Sequence, residues 1–596
     1  MQRPNPISEP HACRAPSSLK SGDDKSATNS GDRHKRATKG GLYRWWCSCG
    51  LQESKPDNVN STEDPLPNLR WWSLLTRITS RTVSSRLSRL TRSTSRDRDM
   101  DMDMDTATYD LLVVNGVVVT DQAIAELDVA VKDGVVVKFA PRGALKDASA
   151  KRTIDAEGGY VMPGGVDAHV HLEEPALFGK GSSADTYETG SRSAICGGTT
   201  TLITFAPQTK DQDTLMDTLH MTHAKAVGNC YTDYSFHLIV ANPSARALSE
   251  FPSLRAAGIS SLKIYMTYAA LQLADDQILD VLLEARRNQI TTMIHAENGQ
   301  VIEWMTKQLE QRKMFAPKHH ATSHPPMAEM EATYRAICLS TFIDVPILIV
   351  HVSSPAAAAH IRQAQEKGLP VYAETCPQYL FLTREDLDKP GFEGAKCVCS
   401  PPPREASDHE AIWEGLRNGT FTVLSSDHCP FLYDNNETGK KSCITDEFPV
   451  GHFKYVPNGC PGVETRLALA MSEAKLELKN FVTVTSTNAA KLYGVYPKKG
   501  ALLEGVSDAD MVIWYPPGKM AEFELKNEML HHNVDYTPYE GRSMKQWPRY
   551  TILRGEVVWD RDGGGLVGGK GGKFLERGPS TLKGSVNKEE WDVRRW

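Results

Sequence analysis

The sequence predicts an α/β fold: a closed (β/α)8 barrel carrying a small β-sandwich domain. Two observations carry the prediction. Eight strand-length apolar runs lie between roughly residues 160 and 490, and most connections between them are long enough for a helix. β-rich segments flank this stretch on both sides, far apart in sequence, and can pair into one small sheet domain. Strands that alternate with helices form parallel sheets, and eight is the count that closes a TIM-like barrel.

The elements follow in chain order. Asp110–Thr120 reads as two strands around Asn115-Gly116, a strong hairpin signal. Ile124–Phe139 adds β segments around Asp133-Gly134. Tyr160–His171 reads as the first barrel strand. Thr199–Ala206, Tyr234–Val240, Ser261–Tyr268, Ile290–Glu297, Val345–Val352, Pro370–Thr375 and Thr420–Ser425 supply the other seven. Asp510–Tyr515 and Tyr550–Trp559 resume the β pattern, the latter turning at Arg554-Gly555. Residues 561–596 are Gly-rich, then charged, and read as a loose C-terminal arm. The expected organisation is a tail over 1–106, the β-domain over 107–160 and 496–560, the barrel over 161–495 and the arm over 561–596.

Composition narrows the function. At ~100–200 residues per domain, 596 residues would make three or four domains, but a barrel with its β-domain needs two. The net charge of −6 is uneven: residues 1–106 hold more Lys and Arg than Asp and Glu, so the remainder is more acidic still. An acidic body does not predict a nucleic-acid partner. Twelve scattered cysteines fit a reducing, cytoplasmic compartment better than a disulfide framework. No apolar run approaches the ~18 residues of a membrane span.

Residues 1–106 are rich in Ser, Thr, Arg, Lys, Asn and Pro and read as disordered. Cys47 and Cys49 form a C-x-C with no second pair nearby. Leu74, Arg77, Ile78, Arg81, Leu87 and Leu90 fit either a basic amphipathic helix, touching a membrane or serving as an import signal, or a plain Ser/Arg-rich tail. Met100, Met102 and Met104 precede the first strand, and translation starting at one of them would dispense with the tail.

The chemistry lies at the strand ends. His169-Val-His171 closes the first barrel strand, and residues i and i+2 of a strand share a face, so both imidazoles can grip one ion. Lys263 lies in the fourth strand. The fifth ends in His295-Ala-Glu-Asn298, the sixth in His351-Val-Ser-Ser354, and the eighth in Ser425-Ser-Asp-His-Cys429. Barrel active sites lie at the C-terminal strand ends. Singly, each residue reads as well as a core or solvent residue; four His, one Lys and one Asp on five strands read as a site.

With these motifs the chain resembles the cyclic amidohydrolases, and most closely the dihydropyrimidinase/hydantoinase family. The resemblance covers roughly residues 108–560. It rests on Gly165-Val-Asp-Ala-His-Val-His171, Gly197-Gly-Thr-Thr200, Lys263-Ile-Tyr-Met-Thr-Tyr268, His295-Ala-Glu-Asn298, Glu374-Thr-Cys-Pro-Gln-Tyr379, Cys399-Ser-Pro-Pro402, Ser426-Asp-His-Cys429 and Pro457-Asn-Gly-Cys-Pro-Gly-Val463. It implies two zinc ions: one held by His169, His171 and Asp427, the other by His295 and His351. Lys263, carboxylated to N6-carboxylysine, would bridge them. It further implies that a shared hydroxide attacks a ring amide carbonyl, that Tyr268 stabilises the oxyanion and contacts substrate, and that Asp427 carries the proton to the leaving nitrogen. Backbone groups of Ser400 and Asn458 would hold the cyclic imide. Cys376, Cys399 and Cys429 read as packing residues.

Within the related enzymes, dihydroorotases resemble H-x-H-x-R, whereas Glu173 stands at the Arg position here and would repel a substrate carboxylate. Gly181–Gly190 looks like the dihydropyrimidinase version of that segment. The implied reaction is ring opening of 5,6-dihydrouracil and 5,6-dihydrothymine to N-carbamoyl-β-amino acids, in reductive pyrimidine catabolism. Hydantoin, allantoin or another cyclic ureide is the alternative. A second class uses the same fold without metal ligands, the collapsin-response mediator scaffolds; the six filled ligand positions weigh against it. The resemblance also implies a homotetramer.

Overall fold

The computed structural model describes residues 108–176 and 181–595. The readings made on residues 1–106, including Cys47, Cys49 and the Arg-rich stretch, lie outside the described residues. Strands β1 (Tyr109–Val119), β2 (Ile124–Lys132), β3 (Val135–Pro141), β4 (Ala150–Asp155) and β5 (Tyr160–Pro163) come first. The barrel strands are β6 (Gly165–Val170), β7 (Thr199–Pro207), β8 (Asp233–Ile239), β9 (Ser261–Tyr265), β10 (Thr291–His295), β11 (Ile347–Ile349), β12 (Val371–Thr375) and β13 (Val423–Leu424). After them come β14 (Met511–Trp514), β15 (Phe523–Glu524), β16 (Ser543–Met544), β17 (Pro548–Leu553), β18 (Glu556–Asp560) and β19 (Gly565–Leu566).

β6 to β13 form one parallel sheet in sequence order. A parallel bridge between Val170 and His428, with His171 N donating to His428 O at 2.8 Å, brings the last strand back to the first. Val166, Ala168, Ile203, Phe205, Met293 and Leu348 fill the interior, while Leu202 and Ile294 pack in the other layer, as two-residue alternation requires; Val170 joins that other layer past the β6 register irregularity between Asp167 and Val170. The fifth and sixth barrel strands, β10 and β11, lead into helices whose caps come from the motifs themselves. Asn298 ends His295-Ala-Glu-Asn298 and caps helix Gly299–Gln311 by accepting from Val301 N; Ser354 ends His351-Val-Ser-Ser354 and caps helix Pro355–Glu366 through Ala357 N. The His295 and His351 motifs therefore end where the chain turns away from the strand, which leaves their side chains at the barrel mouth.

The flanks join as expected. A single nine-stranded sheet runs β19-β18-β17-β14-β5-β1-β2-β3, with β4 beside β1. Its two ends fold over one another: Val129, Val131 and Val136 share a buried cluster with Ile552 and Val557, and a Cβ on Gly555 would lie 2.8 Å from Val131. The Asp133-Gly134 and Arg554-Gly555 turns carry positive φ at both residues, as the hairpin signals predict.

Three readings are corrected. Asn115-Gly116 is no hairpin turn but a bulge inside the continuous β1: Asn115 has φ 58°, and its N–H leaves the ladder for Asp128 Oδ1 at 3.0 Å. Tyr160–His171 is two strands, β5 in the flanking sheet and β6 in the barrel. The chain breaks at Gly164, where a Cβ would lie 2.2 Å from Thr200 Oγ1. The arm is not loose. β19 extends the sheet, Lys573 O accepts from Tyr234 N at 2.9 Å, Leu575 joins the barrel-interior cluster, and Arg577 is buried.

Candidate active site

Strands β6, β9 and β10 carry His169, Lys263 and His295, and the turns just after β6, β9, β11 and β13 carry His171, Tyr268, His351 and Asp427. Tyr268, His351 and Asp427 have φ of 67°, 38° and 49°. Left-handed backbone is costly for such residues and concentrates at functional sites. All seven line one cavity of ≈ 390 Å³, together with Ser400 and Asn458, so the structure brings every sequence-predicted site residue to one place.

Hydrogen bonds set the protonation of the first histidine pair. His169 Nδ1 lies 2.6 Å from Glu374 Oε1, and His171 Nδ1 lies 2.9 Å from Glu174 Oε2. A carboxylate partner accepts, so each Nδ1 carries a proton and each Nε2 is the ring nitrogen that faces inward. His169 Nε2 and His171 Nε2 lie 3.1 and 3.5 Å from Asp427 Oδ1. His169, His171 and Asp427 thus place three ligand-capable atoms within 4.8 Å of one another. Burial opposes charge on His171, yet Glu174 and Asp427 outweigh it and raise its pKa to about 9. The local field demands positive charge, which a divalent cation would supply.

In the second pair only His295 has such a carboxylate behind it. His295 Nε2 donates to Glu297 Oε2 at 2.8 Å, and the His295 and His351 rings meet edge to face with centroids 4.4 Å apart. His351 Nδ1 is buried with no hydrogen-bond partner, an orphaned nitrogen suited to a metal. Lys263 is fully buried; its Nζ lies 3.4 Å from His169 Nε2, and its charge acts on both His295 and His351. Burial lowers its pKa to about 8. The donor set fits a metal centre at His169, His171 and Asp427, with a second pair of imidazoles across Lys263.

Facing this cluster are Tyr268, Ser400 and Asn458. Burial, then Glu297, push the Tyr268 phenol well above its ordinary pKa, so it stays a donor, and it meets the Ser400 hydroxyl. Asn458 Nδ2 donates to Ser400 Oγ at 3.3 Å. Among the described residues, no hydrogen bond engages the Ser400 N–H or C=O or the Asn458 N–H.

Sequence reading missed the supporting carboxylates. Glu374 stood in a quoted motif without a role; Glu174 and Glu297 follow His171 and His295 by three and two residues, a spacing that was a usable signal. Two readings change. Glu173 does not line the cavity; its Oε1 accepts from Tyr187 N at 3.1 Å, and the acid that faces the cavity is Glu174. Cys399 and Cys429 line the cavity, whereas Cys376 is core. A second group, Cys196, Glu464 and His531, also converges, but the Glu464 oxygens already accept from Ser193 Oγ, His531 N and His531 Nδ1.

Comparison with known proteins agrees with this geometry. The amidohydrolase family model matches residues 160–558. The D-hydantoinase of Ralstonia pickettii is 38% identical over 473 residues, which is 78% of this chain and 99% of that protein. The D-hydantoinase of Streptomyces coelicolor is 40% identical over 464 residues, 77% of this chain and 96% of that one. Among solved structures, a D-hydantoinase superposes with a TM-score of 0.73 at 38% identity, covering 78% of this chain and 99% of its own. A dihydropyrimidinase from Brevibacillus agri gives 0.73 at 37%, covering 78% and 98%.

Proposed function

The chain belongs to the amidohydrolase family, as a hydrolase of the hydantoinase/dihydropyrimidinase type acting on cyclic amides, and from that premise we propose that it opens the ring of 5,6-dihydropyrimidines. The products would be N-carbamoyl-β-amino acids, in reductive pyrimidine catabolism. The observation that carries the reading is the unengaged Ser400 and Asn458 backbone facing the His-Lys-Asp cluster across one cavity. An imide edge presents carbonyl acceptors and an N–H donor, the complement of those groups.

His169, His171 and Asp427 would hold one zinc, and His295 and His351 the other. An ammonium cannot bind a cation. With its pKa lowered to about 8, the Lys263 amine is neutral in a minor but usable fraction at neutral pH. That nitrogen can add to carbon dioxide with loss of a proton, and the resulting carbamate would supply anionic oxygens to the metals. When bound, the metals supply Lewis acidity and a water that ionises near pH 7. The chain's own groups do the rest. Ser400 and Asn458 orient the ring, and Tyr268 donates to the carbonyl oxygen as charge develops there; such a donor is worth ~2.7–4 kcal/mol. Asp427 takes a proton from the attacking water and delivers it to the leaving ring nitrogen.

The test is a panel of dihydrouracil, hydantoin, allantoin and dihydroorotate, followed by ring-opening absorbance. Dihydrouracil should give the highest kcat/KM. Preference for allantoin would overturn the substrate while leaving the reaction class. Hydantoin is the second reading, favoured by the D-hydantoinases among the relatives. A cytoplasmic homotetramer belongs to the same proposal, and light scattering of the purified chain measures the assembly. Among the described residues no helix is long and apolar enough to cross a membrane.

A further inference from the structure

We propose that Lys440 is the positioning residue for the substrate's imide edge: its buried ammonium fastens the two backbone segments that carry Ser400 and Asn458. The inference rests on the reading of Ser400 and Asn458 as the substrate-binding backbone. Lys440 Nζ donates to Pro457 O at 2.9 Å and to Val398 O at 3.2 Å. These carbonyls lie one residue before Asn458 and two before Ser400. The segments belong to different loops, one after β12 and one after β13, so only tertiary contacts set their separation. Gly459 N also donates to Val398 O, at 3.0 Å, so the ammonium sits where the two segments already meet.

The residue type is informative. Lys440 is fully buried, and among the described residues no carboxylate pairs with it. The groups that act on its charge are the thiols of Cys460, Cys399, Cys429 and Cys397. Burying an ammonium without a carboxylate is costly, and an apolar side chain of similar size would fill the space at less cost. What Lys adds is a head with three donors, reaching two carbonyls of separate loops at once. Its approach is built in: Lys440 N donates to Leu432 O at 2.8 Å, and a Cβ on Gly439 would lie 2.4 Å from that same oxygen. His320 Nε2 braces the first segment from the other side, 2.9 Å from Cys399 O. With neighbouring carbonyls occupied in this way, the Ser400 and Asn458 backbone groups stay turned to the cavity.

The experiment uses the full-length, metal-loaded chain with Lys440→Met and Lys440→Gln, hydantoin and dihydrouracil as probes, and hydrogen exchange of peptides spanning 398–401 and 457–460. The expected result is a KM raised roughly tenfold in Lys440→Met, with metal content and kcat close to wild type. Lys440→Gln, which keeps a neutral donor, should fall between. Exchange should quicken in both segments and not in β6 or β10. An unchanged KM in folded, metal-replete Lys440→Met overturns the proposal, as does a loss of kcat that tracks loss of metal. If Lys440→Met does not accumulate folded, Lys440→Gln supplies the same comparison. Adding probe to the wild type separates the two readings. Slowed exchange in both segments upholds the binding backbone, so an unchanged variant KM then sinks Lys440 alone. No slowing at either segment sinks the binding backbone and Lys440 with it.

Discussion

One oxygen of Glu374 serves both halves of the candidate metal centre: Oε1 lies 2.6 Å from His169 Nδ1 and also accepts from His351 N at 3.1 Å. Glu374 is fully buried at the end of β12. It fixes the His169 tautomer and draws the β6 and β11 ligands toward a common point. Carboxylates behind metal-bound histidines typically contribute 10–100-fold in metal affinity or activity.

Glu374→Gln should therefore keep the fold but release metal more readily. An amide carbonyl can still accept from His169 Nδ1, yet it lacks the charge that strengthens the bond. Metal retention against a chelator should fall by ~10–100-fold. Retention equal to wild type would show that Glu374 is a packing group.

Lys263→Ala should abolish ring opening, with partial return on adding a short carboxylic acid that supplies oxygens where the carbamate would sit. Burial, the cause of the lowered Lys263 pKa, predicts the pH sense of carboxylation as well. The neutral amine grows as pH rises toward about 8, so reconstitution of metal-stripped protein with metal and bicarbonate should speed up from pH 6 to pH 8. Full activity in unrescued Lys263→Ala would refute the bridging role.

The barrel was legible because its strands are buried on both faces. Runs such as Thr199–Ala206 and Ser261–Tyr268 lack a polar face, and the observed strands, Thr199–Pro207 and Ser261–Tyr265, begin where the runs do. That same continuity hid the break at Gly164, since an unbroken run says nothing about which sheet each half joins. Asn115-Gly116 misled because a hairpin and a bulge both ask for positive φ. The candidate ligand residues were legible because they sit at strand ends in fixed motifs. Glu374, Arg577 and Lys440 were not, since their partners lie more than fifteen positions away and no local spacing marks them. Ser400 and Asn458 came from resemblance alone, because backbone contacts leave no side-chain pattern to read.

Lys499 is expected to govern the acid response of the fold. It is buried, with Nζ 2.6 Å from Asp233, 2.9 Å from Asp508 and 2.7 Å from Asp510. Burial opposes ionisation of both Asp233 and Asp510. Lys499 and Arg554 overcome it at Asp233, whose pKa is depressed, while Asp510 stays raised. A depressed carboxylate contributes stability above its unfolded pKa and loses it as pH falls; a raised one does the reverse. Between pH 7 and pH 5 Asp233 is ionised in both the folded and unfolded states and adds no slope, so only the raised Asp510 contributes there, a single group's small gain as pH falls. In Lys499→Met, the buried carboxylates lose their cation and their folded pKa values rise above the unfolded ones. The folded state then binds more protons, so the variant should gain stability from pH 7 to pH 5. At neutral pH it should be ~3–5 kcal/mol less stable, the cost of a broken buried pair. Thermal unfolding across that range checks both signs, and parallel wild-type and variant curves would refute the assignment.

The C-terminal arm should be part of the barrel's stability. Arg577 Nε donates to Ser235 Oγ at 2.9 Å, its Nη1 to Ser261 Oγ at 2.7 Å, and its Nη2 to Phe236 O. Burial lowers its pKa to about 9, and among the described residues no carboxylate pairs with it. Replacing it has two opposed effects. Each acceptor left dry costs ~1–3 kcal/mol, while removing a desolvated charge relieves part of that loss. Arg577→Met should thus destabilise modestly. Deleting residues 573–596 also strips Leu575 from the barrel-interior cluster and removes the Lys573 O that accepts from Tyr234 N. Losing one buried Leu side chain adds ~1.5–3 kcal/mol. The deletion should therefore unfold at lower denaturant than Arg577→Met, with newly exposed Tyr234 and Phe236 promoting association. A deletion variant as stable as the full chain would show that the arm merely covers a barrel that is complete without it.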